Sequence, residues 1–216
     1  GAILGGQKPL FDVETELLQN KSAPQSKSTD LETLDQARNA YFGDLHVHTT
    51  YSFDGYAFGT LATPYDAYRF ARGEAIKNPA GYEMQLTRPM DFYAVTDHGM
   101  FLGVVQAASD TSTEFSKNPF SQPYHDLNAL DNFGTGFFSR MKRLLTFSGF
   151  IPEIIAGIQQ GNVDREEVLN IVRTAWEDTI DAADQFYSPG EFTTFAAYEY
   201  TTSSVEMGNL HRNVIF

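Results

Sequence analysis

Five histidines occur in this chain of 216 residues, and their positions carry most of its chemical information. His46 and His48 stand one residue apart at the end of Tyr41-Phe-Gly-Asp-Leu-His-Val-His48, a short apolar run that reads as a strand. Side chains at i and i+2 of a strand project to one side, so both imidazoles can reach one cation. Asp54 follows in Tyr51-Ser-Phe-Asp-Gly55, and Asp97-His98 follows the apolar run Met90-Asp-Phe-Tyr-Ala-Val-Thr96. Glu199 stands at the tip of Thr193-Thr-Phe-Ala-Ala-Tyr198, and His211 opens His211-Arg-Asn-Val-Ile-Phe216. Each has a plain alternative: hydrogen-bonded histidines on the surface or in the core, an Asp-Gly turn at Asp54, a helix cap at Asp97, a solvated charge at Glu199. Together they gather nitrogen and oxygen ligands at the ends of several strands. Such a set suits Zn²⁺, Mn²⁺ or Fe²⁺. Cations bridged by a carboxylate make hydroxide available near neutral pH and neutralise charge building on a phosphoryl or carbonyl oxygen. His125, in the turn-like Gln122-Pro-Tyr-His-Asp126, reads as a surface or packing residue.

The elements that must position these residues follow from local signals. Thr63-Pro64 opens a helix, with Thr as N-cap, Pro at the first helical position and Asp66 three after the cap. Ala67, Phe70 and Ala71 give its apolar stripe, and Gly73 its stop. Strand, polar tip, helix, strand and polar tip therefore succeed one another by residue 98, which is a βαβ unit and predicts a parallel sheet or barrel. Residues 100–190 are longer than an ordinary connection and read as a helical insertion. Within it, Met141 to Ile158 is apolar but broken by Gly149 and Pro152, as helices or a lid. Asp164 with Glu167 has capping-box spacing ahead of an amphipathic helix that ends before Ser188-Pro-Gly190. Its aromatics, among them Phe101, Phe115, Phe120, Tyr124, Phe133, Phe137 and Phe138, wall a pocket or pack a core. Residues 1–40 read as an arm or linker, with a short helix over about 30–39 set by Thr29 and Glu32. Four strands, the last reaching Phe216, cannot close a barrel, so residues 41–216 are expected to be the N-terminal part of a longer domain.

Fifteen Lys and Arg against twenty-eight Asp and Glu leave a formal charge of −13. That field repels a nucleic-acid backbone, so no nucleic-acid partner is expected. No run approaches the ~18 uncharged apolar residues of a membrane span. The chain has no cysteine, which removes disulfides, thiolate metal sites and cysteine nucleophiles together.

Tyr41-Phe-Gly-Asp-Leu-His-Val-His-Thr-Thr-Tyr-Ser-Phe-Asp-Gly55 and Asp91-Phe-Tyr-Ala-Val-Thr-Asp-His-Gly99 resemble the first two motifs of the PHP (polymerase and histidinol phosphatase) superfamily. They resemble most closely an often secreted branch, whose next two motifs are similar to Phe195-Ala-Ala-Tyr-Glu-Tyr200 and Gly208-Asn-Leu-His-Arg-Asn-Val-Ile-Phe216. The resemblance implies an α/β fold, the N-terminal part of a distorted (β/α)7 barrel with a long helical insertion, and two or three metal ions at the strand ends. It implies that His46 and His48 hold one ion, that Glu199 bridges it to a second held by His211, and that Asp54 and His98 hold a third. Asp97 would orient a ligand, and Asp44 would do the same for His46 or His48. Glu199, His98 and Asp97 are thus the candidate catalytic residues. The family's later ligands have no counterpart before Phe216, so the remainder of the polypeptide or another chain would complete the sites.

The expected activity is metal-dependent hydrolysis of a phosphoester by a metal-activated hydroxide, on a small anionic substrate. Hydrolysis of an amide or another ester, and a noncatalytic metal- or partner-binding module, stay open as alternatives. Arg72 and Arg212 are candidate phosphate contacts. The resemblance implies a periplasmic or secreted protein, with a cytoplasmic one also open.

Overall fold

β1 (Gly43–Val47) and α1 (Phe53–Ala57) begin the fold in the computed structural model, which describes residues 39–129, 136–204 and 208–216. Residues 1–38 of the arm, with all but the last residue of the helix expected over about 30–39, and Phe133 lie outside the described residues. The chain divides into units of residues 1–40 and 41–216, and every element below belongs to the second.

After α1 comes α2 (Pro64–Ala71), capped as its sequence dictates. The Thr63 hydroxyl accepts from the Asp66 N–H, and the Asp66 carboxylate accepts from the Thr63 N–H at 2.9 Å. A short antiparallel ribbon, β2 (Ile76–Lys77) with β3 (Glu83–Met84), precedes β4 (Phe92–Val95). The ribbon has too few residues to leave a periodic signal. β4 lies parallel to β1, with Gly43 opposite Phe92 and Asp44 opposite Tyr93, and this completes the βαβ unit.

The insertion begins with α3 (Val104–Ser109) and two 3₁₀ turns, Phe115–Lys117 and Pro119–Tyr124. α4 (Phe137–Gln159) then runs unbroken through Gly149 and Pro152, against the interruption expected there. Its inward residues Phe147, Phe150, Ile151 and Ile154 are set into the cluster of Phe53, Val104, Phe115 and Tyr124. Burial of that face outweighs the hydrogen bond that proline forfeits. Phe115 and Tyr124 are therefore core, whereas Phe137 and Phe138 face outward. α5 (Arg165–Phe186) starts at Asp164, whose carboxylate accepts from the Glu166 N–H at 2.9 Å rather than forming the expected box with Glu167. Its C-terminal half joins Tyr68, Tyr93 and Val95 in a second core through Ala182, Ala183 and Phe186.

The strand expected over 193–198 divides at Ala196. β5 (Thr193–Phe195) adds to the parallel sheet in the order β1-β4-β5, and β6 (Ala197–Ser204) leaves it to pair antiparallel with β7 (Gly208–Ile215). The sheet therefore has three parallel strands instead of four, and His211 lies within β7 rather than opening a strand. The described residues form a mixed α/β structure with a parallel sheet and helices, and no closed barrel is found among them. Nor is any of their helices long and apolar enough to cross a membrane.

Candidate metal centre

All five of the expected ligand-bearing segments meet beyond the C-terminal ends of β1 and β4. His46 belongs to β1 and His48 follows it directly, and their rings lie 5.2 Å apart between centroids. Asp54 sits in the first turn of α1 rather than in an Asp-Gly turn, because Ser52 opens a helix there. Asp97 and His98 follow β4, and the Glu199 N–H donates to the Asp97 carbonyl at 2.9 Å. The parallel pairing thus continues past the break at Ala196, with His98 opposite Glu199. On the hairpin, Glu199 pairs with Asn213 and Thr201 with His211. Alternation puts these four side chains on one face. Asn213 Nδ2 donates to the Leu45 carbonyl at 2.6 Å and ties that face to β1.

Glu199 is the centre of the arrangement, with its side chain 2% exposed. Oε1 lies 2.9 Å from His211 Nδ1 and 3.6 Å from His46 Nε2. Oε2 lies 3.1 Å from His48 Nε2 and 3.0 Å from His98 Nδ1. Asp54 stands behind two of these rings, with Oδ1 3.1 Å from His48 Nδ1 and Oδ2 3.5 Å from His98 Nε2. Three overlapping groups result, each able to hold a cation: His46, His48 and Glu199; His48, Asp54 and His98; His98, Glu199 and His211. The side chain of His46 is 61% exposed and that of His211 41%, so the cluster opens to solvent on their side.

Two buried atoms test the fit to a cation. Glu199 Oε2 and His48 Nε2 lack any hydrogen-bond partner, although they face each other across 3.1 Å. A buried polar atom without a partner is costly, so groups in this state call for an explanation. A carboxylate oxygen and an imidazole nitrogen aimed into one space are the donor pair a divalent cation takes. The residues fit.

Neighbouring polar groups hold this set in place. Asp97, fully buried, accepts from the Thr49 N–H and, at 2.5 Å, from the Thr49 hydroxyl. Burial pushes its carboxyl up to about 6, against the pull of the Thr49 bonds and the charge of His48. It thereby fixes the loop after His48 instead of touching a ring. Asp44 likewise accepts from the main-chain N–H of His46, not from an imidazole. Ser52 Oγ donates to Asp54 Oδ1 at 2.6 Å and accepts from the His98 N–H at 3.3 Å. Burial would raise Asp54, but hydrogen bonds with His48 and Ser52 and the charge of His48 hold its carboxyl far below the usual carboxylate range. Burial would lower His48, yet the hydrogen bond and charge of Asp54, with the charges of Asp97 and Glu199, raise it.

Thr49, Ser52, Thr201 and Asn213 are site residues that the sequence reading passed over. Thr201 was detectable, since it stands two residues after Glu199 on the same strand face. The two arginines proposed for phosphate lie elsewhere. Arg72 ends α2 beside Met90, whose N–H bonds Ala71, at the opposite end of the sheet. Arg212 pairs with Tyr200 on the far face of the hairpin. His125 Nε2 lies 2.8 Å from the Ser116 carbonyl and has a packing role.

Fold and site together define a mixed α/β protein with a candidate cation-binding cluster at the ends of its parallel strands. A family model described as "Protein of unknown function (DUF3604)" matches residues 35–216, and the chain belongs to that family. No curated protein and no solved structure matches it.

Proposed function

We propose that this protein is a metal-dependent hydrolase of phosphoesters, built on a PHP-type fold and working through two or three divalent cations, Zn²⁺, Mn²⁺ or Fe²⁺. The observation that carries the reading is Glu199: a buried carboxylate ringed by four imidazoles, one of its oxygens without a hydrogen-bond partner. His46, His48 and Glu199 would hold one cation, His211 a second shared with Glu199, and Asp54 with His98 a third. Cations held there would lower the pKa of a bound water and take up negative charge on a phosphoryl oxygen.

The chain's own charges favour an anionic substrate at this place. The ligating carboxylates are two, Asp54 and Glu199, and imidazoles are neutral when they ligate. Two divalent cations therefore leave the pocket positive despite the net charge of −13. Neither Arg72 nor Arg212 is needed for that attraction. His46 and His211 line the open side and would flank an incoming phosphoryl group. Thr49 and Asp97 hold the main chain between His48 and Ser52.

A panel of phosphomonoester, phosphodiester and amide chromogenic substrates, with added Mn²⁺ or Zn²⁺, tests the reading. Phosphoester turnover that chelator abolishes and His46→Ala with His48→Ala removes is expected. Turnover of amides alone, or a protein without metal by elemental analysis after saturation, overturns it.

A further inference from the structure

His98 belongs to two of the three candidate groups, but a neutral imidazole offers one lone pair and carries a proton on its other nitrogen. Which cation it serves is therefore a question of tautomer. Two neighbours stand at Nδ1. Thr201 Oγ1 lies 2.6 Å away in a hydrogen bond, and Glu199 Oε2 lies 3.0 Å away, off the hydrogen-bond axis. A carboxylate oxygen accepts and cannot donate, so it draws the proton to Nδ1, where the Thr201 oxygen receives it. Nε2 faces a carboxylate as well, but Asp54 Oδ2 stands 3.5 Å away, farther than either neighbour of Nδ1, so Nε2 keeps the lone pair. The ring has little freedom to turn over. It is 5% exposed, stacks on Phe53 at 4.8 Å, and its main-chain N–H is held by Ser52.

We infer that Thr201 is a positioning residue for the metal centre: its hydroxyl holds the proton of His98 on Nδ1 and commits Nε2 to the Asp54 side. The inference rests on the metal reading above. His48 is sorted by the same logic in reverse. Its Nδ1 faces Asp54 Oδ1 at 3.1 Å and Ser52 Oγ at 3.0 Å, while Nε2 is the unpartnered atom that faces Glu199. The overlapping groups then separate into sets that share only the bridging glutamate. His46, His48 through Nε2 and Glu199 make the first, Glu199 and His211 the second, Asp54 and His98 through Nε2 the third. Thr201 reaches this ring because it stands two residues beyond Glu199 on the same strand face.

Thr201→Val keeps the shape and removes the hydroxyl, and Thr201→Ser restores it. Nitrogen-proton correlation spectra of the metal-free chain read the His98 tautomer, and calorimetric titration with Zn²⁺ or Mn²⁺ reads each site. Wild type is expected to carry its proton on Nδ1. Thr201→Val should mix the tautomers and weaken one cation by about 10- to 100-fold, the usual effect of losing a ligand's hydrogen-bond partner. The other sites should keep their affinity, and Thr201→Ser should recover the lost one. A wild-type proton on Nε2, an unchanged tautomer in Thr201→Val, or equal loss at every site overturns the assignment. A wild type that binds no cation overturns the hydrolase reading instead, and the tautomer, read without metal, still reports on Thr201 separately.

Discussion

Replacing Glu199 by Gln keeps the volume of the side chain and removes the one charge shared by most of the cluster. Its carboxylate oxygens lie between 2.9 and 3.6 Å from four imidazole nitrogens, and it contributes to two of the three candidate groups. A ligand that binds only the folded state at a hundred times its dissociation constant adds about 2.7 kcal/mol per site. A kcal/mol moves the melting point of a unit of this size by about 2–4 °C, so each filled site should raise it by about 5–11 °C. Glu199→Gln should therefore keep only the part of the metal-induced shift that comes from Asp54 and His98, about a third of the wild-type value if the sites are equal. Melting curves recorded with chelator and then with excess Zn²⁺ or Mn²⁺ give both numbers, and the chelated curves show whether the variant folds. A Glu199→Gln protein with the full metal-induced shift refutes the reasoning, as does a wild type that no divalent cation stabilises.

Two further perturbations probe the surroundings. Thr49→Val deprives the buried Asp97 of one of its donors and should cost about 1–3 kcal/mol. Asp97 is already raised, so its contribution to stability is present below the ordinary carboxylate range and is lost as pH rises through about 6. The loss in Thr49→Val should accordingly be larger at pH 8 than at pH 4.5 in denaturant titrations, and an equal loss at both would contradict this. Tyr51 donates to Asp178 at 2.6 Å, and burial with that bond pushes its hydroxyl well above the usual tyrosine value. Stability from this group is intact below about pH 10 and falls as the pH rises further, so Tyr51→Phe should show a shallower alkaline decline by up to one proton. Parallel wild-type and variant curves above pH 10 would count against it.

What the sequence disclosed was local. Thr63, Pro64 and Asp66 spelled a helix start because every bond of that cap lies within four residues. The His-x-His pair revealed its strand because alternation along a strand is a property of neighbours. The path of the chain after Ala196 was not legible in this way. Thr193 to Tyr198 is a continuous β-prone run, and the switch from the parallel sheet to an antiparallel partner is decided by β7, which the run itself does not mention. Pro152 misled for a related reason, since its cost is local while the burial of Phe150 and Ile154 that offsets it is not. The residues that meet in the candidate cluster were readable from residue type and spacing. Their partner Ser52 was not, because hydroxyls are common and acquire meaning only from what stands opposite, and Thr201 had only its spacing from Glu199 to mark it.

The hairpin that carries Glu199 and His211 follows residues 46 to 98 in the chain, and this sets an order for synthesis. When residues 46 to 98 have been made, three imidazoles and two acids of the cluster exist, while the glutamate that gathers it is still unsynthesised. Thr49 and Ser52, which donate to Asp97 and Asp54, come from the same early segment. Docking of Asn213 onto Leu45 then ties the hairpin that bears Glu199 and His211 to β1.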